Sequence, residues 1–148
     1  MRVVIQRCSS SSVIINNLKE EKIGNGLTIF LGICNGDTED DINYLINKIV
    51  NLRIFEDDFN KMNYSVKDIN GEILLISQFT LYADTRKGNR PSFEKTMNHI
   101  EANKLYDKFV KELSFTGISY KTGEFRSDMK VNIINDGPVT IIIDSKEK

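Results

Sequence analysis

The sequence predicts an α+β fold built mostly on antiparallel sheet, with two main helices. Three observations carry that expectation. β-branched and aliphatic runs crowd both ends of the chain, Val3-Val4-Ile5 near the start and Val139-Thr140-Ile141-Ile142-Ile143 near the finish. Turn-forming pairs, Asn16-Asn17 and Asn70-Gly71, sit beside such runs. Only two stretches repeat apolar residues at helical spacing. Strands interrupted by single helices fit a layered α+β arrangement in which each helix covers one face or end of a sheet.

Taken in order, residues 2–7 and 12–15 read as two strands, with Asn16-Asn17 as the hairpin turn after the second. Gly24-Asn25-Gly26 punctuates the chain before a third strand at 27–33. Thr38 with Asp41 three residues on makes a short capping box. Ile42, Leu45, Ile46, Ile49 and Val50 then share one helical face. After Asn70-Gly71, residues 72–82 read as one long strand. A second helix runs from His99 or Ile100 to Leu113, with Ala102, Tyr106 and Phe109 on its apolar side. Two last strands, 129–135 and 139–143, flank Gly137-Pro138.

The 148 residues carry 20 Lys and Arg against 21 Asp and Glu, a formal net charge of −1. One domain spanning 1–148 is expected at this length. The charge excludes a global basic field, so any nucleic-acid contact must be local. Two cysteines, Cys8 and Cys34, exclude a disulfide framework and a Cys-x-x-Cys metal site. With His99 as the single histidine, neither a metal site nor a cofactor is expected. The start has no secretory pattern, and the apolar run Ile73-Leu74-Leu75-Ile76 is far short of the roughly 18–20 residues of a membrane span. A cytoplasmic protein with free thiols and no membrane partner is the expectation.

No glycine-rich nucleotide loop and no Gly-x-Ser-x-Gly elbow is present. His99, among charged residues near a helix start, reads as a surface side chain. The acidic runs Glu39-Asp40-Asp41 and Glu56-Asp57-Asp58 read as solvated or dipole-favouring groups. Three segments remain. Ser77-Gln78-Phe79-Thr80-Leu81 turns polar straight after an apolar run, as a strand leaving the core at a pocket or as half-exposed alternation. Asn135-Asp136-Gly137-Pro138-Val139-Thr140 places one of only two prolines between strands, as a plain turn or as a rigid main-chain wall facing a ligand. In the third, Arg86, Lys87, Arg90 and Lys95 stand against Glu94 alone, as a solvated loop or one contacting phosphate.

These segments, in this order, resemble the D-aminoacyl-tRNA deacylase family. The match extends over essentially the whole chain through Gln6-Arg7, Gly26-Leu27, Leu31-Gly32, Arg53-Ile54-Phe55, Lys61-Met62-Asn63, Arg90-Pro91-Ser92-Phe93 and Thr122-Gly123 with Phe125. It departs at Arg126-Ser127, where the family more often has small residues. The resemblance implies a barrel-like core and a cytoplasmic homodimer. It implies hydrolysis of the ester between a D-amino acid and the terminal adenosine of tRNA, with no cofactor and no DNA partner. Ser77, Gln78, Phe79 and Thr80 would line the reaction centre. The Gly137-Pro138 peptide would be cis and reach into the partner's site, braced by Arg7, with Phe125 and Met129 near the adenosine. Arg86, Lys87 and Arg90 would touch the RNA weakly.

An aminoacyl ester is already activated, so such a site needs mainly to orient it and stabilise an oxyanion. Main-chain N–H groups near Gln78 and Phe79 suit that task. No base in these segments would activate Thr80 as a nucleophile, which favours assistance by the RNA's own 2′-hydroxyl. Carbonyls of Gly137 and Pro138 would exclude an L side chain by bulk, leaving glycyl esters cleavable. The alternatives are a non-enzymatic RNA-binding dimer, a hydrolase of another small acyl ester and an L-selective editing relative.

Overall fold

The computed structural model describes residues 1–147. β1 (Arg2–Ile15) turns through Asn16 and Asn17, both at positive φ, into β2 (Lys19–Ile23) and then β3 (Gly26–Gly32). α1 (Glu39–Asn51) and a small antiparallel hairpin, β4 (Phe55–Glu56) with β5 (Met62–Tyr64), come next. β6 (Glu72–Ser77) leads into a 3-10 turn (Phe79–Tyr82). α2 (His99–Ser114), β7 (Ser119–Thr122) and β8 (Met129–Asp144) complete the chain.

The main sheet is mixed, nearly closed and barrel-like. β1 pairs antiparallel with β3, β2 and β8, but β3–β6 and β6–β7 are parallel. Most pairings are antiparallel, as expected, and the two parallel ones make the sheet mixed. The sign was in β6, where a continuous apolar run marks a strand buried on both faces. Ile73 and Leu75 pack under the helices with Ile42, Leu45, Phe109 and Leu113, while Leu74 and Ile76 enter a second core with Cys8, Val13 and Ile15.

β1 is one strand rather than two. Its first half lies on β3 and its second on β2, with β8 along the other side and register shifts around Cys8. Those irregularities rotate the strand, so Val3 and Ile5 face one core and Val13 and Ile15 the other. β8 likewise spans Gly137-Pro138 as one strand, although its pairing with β1 lapses over residues 136–139. No helix is long and apolar enough to cross a membrane among the described residues. Cys8 and Cys34 are both free thiols.

The capping box forms as expected. The Asp41 carboxylate accepts the Thr38 N–H at 2.8 Å and the Thr38 hydroxyl at 3.3 Å. Lys146 adds its ammonium at 2.8 Å, tying the chain's end to the start of α1. Burial pushes the Asp41 pKa up, but Lys146, Ser145 and the Thr38 N–H outweigh it and hold the carboxyl well below the usual range. A carboxyl depressed on folding stabilises the protein above its unfolded pKa and loses that contribution as pH falls. Asp41→Asn should therefore cost about 1 kcal/mol or more at pH 7. Urea titrations at pH 7 and pH 3 check this, with the gap between wild type and variant narrowing at the lower pH.

Candidate functional site

Sheet pairing ends where the chemistry-bearing segment begins. The Gln78 N–H donates to the Leu31 carbonyl at 2.8 Å, the last rung joining this segment to β3. The backbone then coils into the 3-10 turn, with the Leu81 N–H on the Gln78 carbonyl at 3.3 Å and the Ala83 N–H on the Thr80 carbonyl at 3.0 Å. The expected strand over 72–82 thus stops at Ser77. Gly32 makes the fold-back possible. A Cβ there would stand 3.0 Å from the Leu81 Cβ and 3.2 Å from the Gln78 carbonyl oxygen.

Donors that open a helical turn have no partner within it. The N–H groups of Phe79 and Thr80 find no acceptor among the described residues. The Gln78 N–H is already engaged by Leu31, so the free pair lies one residue further along than the sequence suggested. The Gln78 side-chain amide donates to the Thr80 hydroxyl at 2.5 Å. An amide cannot take up a proton at neutral pH, so it holds Thr80 without activating it.

The turn borders a cavity of about 710 Å³. Ser77, Gln78 and Phe79 line it together with Phe125 and Met129, which come from sequence-distant segments. Gly123 admits Met129, because a Cβ at 123 would run into the Met129 sulfur. Phe125 is held by Tyr106 of α2, their ring centroids 5.7 Å apart. Sequence reasoning missed Thr96, Met97 and Asn98, which line the cavity just before α2. Their one sequence signal was the helix cap, and Asn98 does accept the Ile100 N–H at 2.9 Å. His99, expected as a surface side chain, is exposed and also lines the cavity. The lining holds no carboxylate and no lysine among the described residues.

The other expected site residues stand elsewhere. Arg7 is buried, with Nη1 donating to the Ile54 carbonyl at 2.6 Å and Nε to the Asp136 carbonyl at 3.1 Å. It thereby anchors the segment that carries Gly137 and Pro138, both exposed and joined by a cis peptide bond. Gly137 has φ +120, and a Cβ would meet Arg7 Nη2 at 3.0 Å and the Val139 side chain at 2.9 Å. β8 sends Val131 into the cavity, and Gly137 lies six residues on, in a bulge where Arg7 alone stands opposite residues 136–139. Gly137 and Pro138 are absent from the cavity lining of their own protomer.

Phe79 packs edge-on against Phe93, centroids 5.0 Å apart, and so ties the turn to the basic loop. Within that loop Arg86 is not a free cation. It pairs with Asp84, Nε lying 2.9 and 3.0 Å from the two carboxylate oxygens, and holds that carboxyl well below the usual range. Lys87 and Arg90 are exposed and make no ion pair among the described residues.

Comparison with known proteins places this geometry in a family. Residues 4–144 match the family model described as D-Tyr-tRNA(Tyr) deacylase. A D-aminoacyl-tRNA deacylase of Finegoldia magna is 53% identical over 148 residues, covering 100% of each chain. That of Natranaerobius thermophilus is 56% identical, covering 100% of this chain and 99% of its own. A solved structure described as c-Myc DNA Unwinding Element Binding Protein is 39% identical at TM-score 0.90, over 97% of this chain and 98% of that one. A probable eukaryotic D-amino acid tRNA deacylase shares the fold at TM-score 0.84 and 16% identity, over 96% and 97%. A match to the family model over residues 4–144 and relatives more than half identical make the chain a member of the D-Tyr-tRNA(Tyr) deacylase family.

Proposed function

We propose that the protein hydrolyses the ester of D-aminoacyl-tRNA, releasing D-amino acid and tRNA in the cytoplasm. The observation that carries the reading is the free N–H of Phe79, a residue of the cavity wall, followed in the turn by the free N–H of Thr80, which itself stands outside the lining, beside a cavity that Phe125 and Met129 make largely apolar. The apolar part suits an adenosine. The paired N–H groups suit the oxygen that becomes negative as water attacks the ester, one such donor being worth about 2.7–4 kcal/mol.

The lining offers no carboxylate or lysine base and one imidazole, the exposed His99 at the start of α2, and the reading gives assistance of the attacking water to the terminal 2′-hydroxyl of the RNA. Thr80 supports through its side chain and is not acylated. This dependence on a ribose also sets the substrate apart from DNA, although a 39% identical relative is described as a DNA-element binding protein.

Chirality comes from the Gly137-Pro138 segment. It is absent from the cavity lining, so the reading requires a homodimer in which it enters the partner's site. The exposed side chains of Ile134 and Ile142 on the same strand support a covered face there. Carbonyls of Gly137 and Pro138 exclude an L side chain by bulk, while Arg7 fixes the segment from behind. Lys87 and Arg90 add weak, local attraction for the RNA, and Arg86 adds least because Asp84 neutralises it.

The primary test compares deacylation of D-Tyr-tRNA and L-Tyr-tRNA, with cleavage of the D ester alone expected. Glycyl-tRNA should be cleaved, since it has no side chain to exclude; inert glycyl-tRNA alongside active D-Tyr-tRNA would contradict the bulk argument. Thr80→Ser should lose less than the roughly 100-fold that removal of a main-chain donor costs. Mass spectrometry of wild type quenched during turnover should find no acyl adduct on Thr80. Gly137→Ala should reduce the D over L preference at least tenfold in a protein whose circular dichroism is unchanged. A merely structural turn would instead lower stability and leave the preference intact.

A further inference from the structure

The cavity lining contains one permanent cation, Arg126, in a position the adenosine reading does not use. Its backbone lies in the left-handed region at φ +64, which disfavours a residue carrying a long side chain. The loop around it is fixed on three sides. The Gly123 N–H donates to the Leu75 carbonyl at 2.9 Å, and the Phe125 ring leans on Tyr106. At the far end the Asn16 N–H donates to the Asp128 carbonyl at 2.8 Å, with the Asn16 side-chain amide on the Ser127 hydroxyl at 3.3 Å.

Arg126 is exposed while lining the cavity, so it stands at the mouth. Glu124 and Asp128 flank it in the chain, yet Arg126 makes no hydrogen bond or ion pair among the described residues. A guanidinium held at a cavity mouth without a partner is suited to an incoming anion. The ester substrate supplies few choices. Its carboxyl group is esterified and its α-amino group is cationic, which a guanidinium repels. The remaining anions are the phosphodiesters of the RNA.

We propose that Arg126 binds the phosphodiester next to the terminal adenosine and so positions the RNA end over the Phe79-Thr80 turn. This deepens the deacylase reading and rests on it. The contact is with the backbone, carries no base specificity and gives the otherwise neutral protein a local grip on RNA.

The test pairs two substrates. One is D-Tyr-tRNA and the other is a D-tyrosyl ester of adenosine, which has the same reacting group and no phosphate. Arg126→Ala should raise KM for D-Tyr-tRNA about tenfold, with kcat changed less than twofold, and raise KM for the adenosine ester far less. The dependence of log(kcat/KM) on log salt should flatten by about 0.7, the value for one contact to a single strand. Arg126→Lys should restore part of the loss. Equal effects on both substrates, or none on either, would overturn the proposal.

A binding arm separates this idea from the reading beneath it. A fluorescent single-stranded RNA ending in adenosine should bind Arg126→Ala more weakly than wild type by anisotropy, whether or not either turns over. Equal binding would overturn the Arg126 contact, whereas wild type inert toward D-Tyr-tRNA would overturn the deacylase reading. Arg126→Gly relaxes the left-handed backbone, so it should lose the same binding without any fall in melting temperature. A fall matching that of Arg126→Ala would make the residue structural instead.

Discussion

The hydrogen bond from the Gln78 N–H to the Leu31 carbonyl decides where strand gives way to turn. It is the last rung between neighbours that run parallel, β3 and β6. Both ends of β3 are glycine, and each end uses the missing side chain. At Gly26 a Cβ would collide with the main chain of Glu72, so the two strands could not approach. At Gly32 a Cβ would press on Leu81 and the Gln78 carbonyl, so the turn could not fold back. One strand thus sets both the height of β6 in the sheet and the point at which N–H groups become free. A donor that is hydrogen-bonded before substrate arrives cannot stabilise a developing charge, which is why the exact residue at which pairing stops matters to the chemistry.

The helices were legible because their apolar spacing has no other use. α1 and α2 lie where Ile42, Leu45 and Ile49, and Ala102, Tyr106 and Phe109, predict them. The Asn16-Asn17 turn was equally plain, since both residues adopt the positive φ that asparagine tolerates. The end of β6 was not legible. Phe79 and Leu81 alternate with polar residues as a strand would, and only the tertiary room above Gly32 lets them coil. The site was legible in pieces. Ser77 to Thr80, Phe125 and Met129 were named through the family resemblance, and all but Thr80 line one cavity. Thr96, Met97 and Asn98 were not named, because a loop before a helix cap carries no periodicity that shows which way it faces.

The two halves of the proposed chemistry sit at different heights of the barrel. Met129 and Val131 enter the cavity from the start of β8, while Gly137 and Pro138 lie further along it beside Arg7. β8 is paired to β1 up to Asn135 and again from Thr140, and between them residues 136–139 bulge from the ladder with Arg7 alone opposite. In the proposed reading the two halves meet through a second protomer. Arg7 suits that arrangement. Its guanidinium is buried and bonded to two main-chain carbonyls, so the exposed segment is held rigid from inside while its outer surface stays open.

Charge is distributed in keeping with the same division. The net charge of −1 gives no long-range pull toward RNA, and the basic loop loses Arg86 to Asp84. What attraction remains must act at short range, where the RNA end is already near the cavity. Arg126 meets that requirement because its loop is pinned by Asn16, Leu75 and Tyr106 and its side chain is unpaired. In the proposed reading a cation at the mouth also orients the substrate, favouring entry with phosphate outward and the cationic amino group away from it. Orientation of that kind places the ester rather than the base beside the Phe79 and Thr80 N–H groups. Under that proposal selectivity between mirror forms needs only bulk on one side, since the RNA end would already fix which way the α-carbon faces.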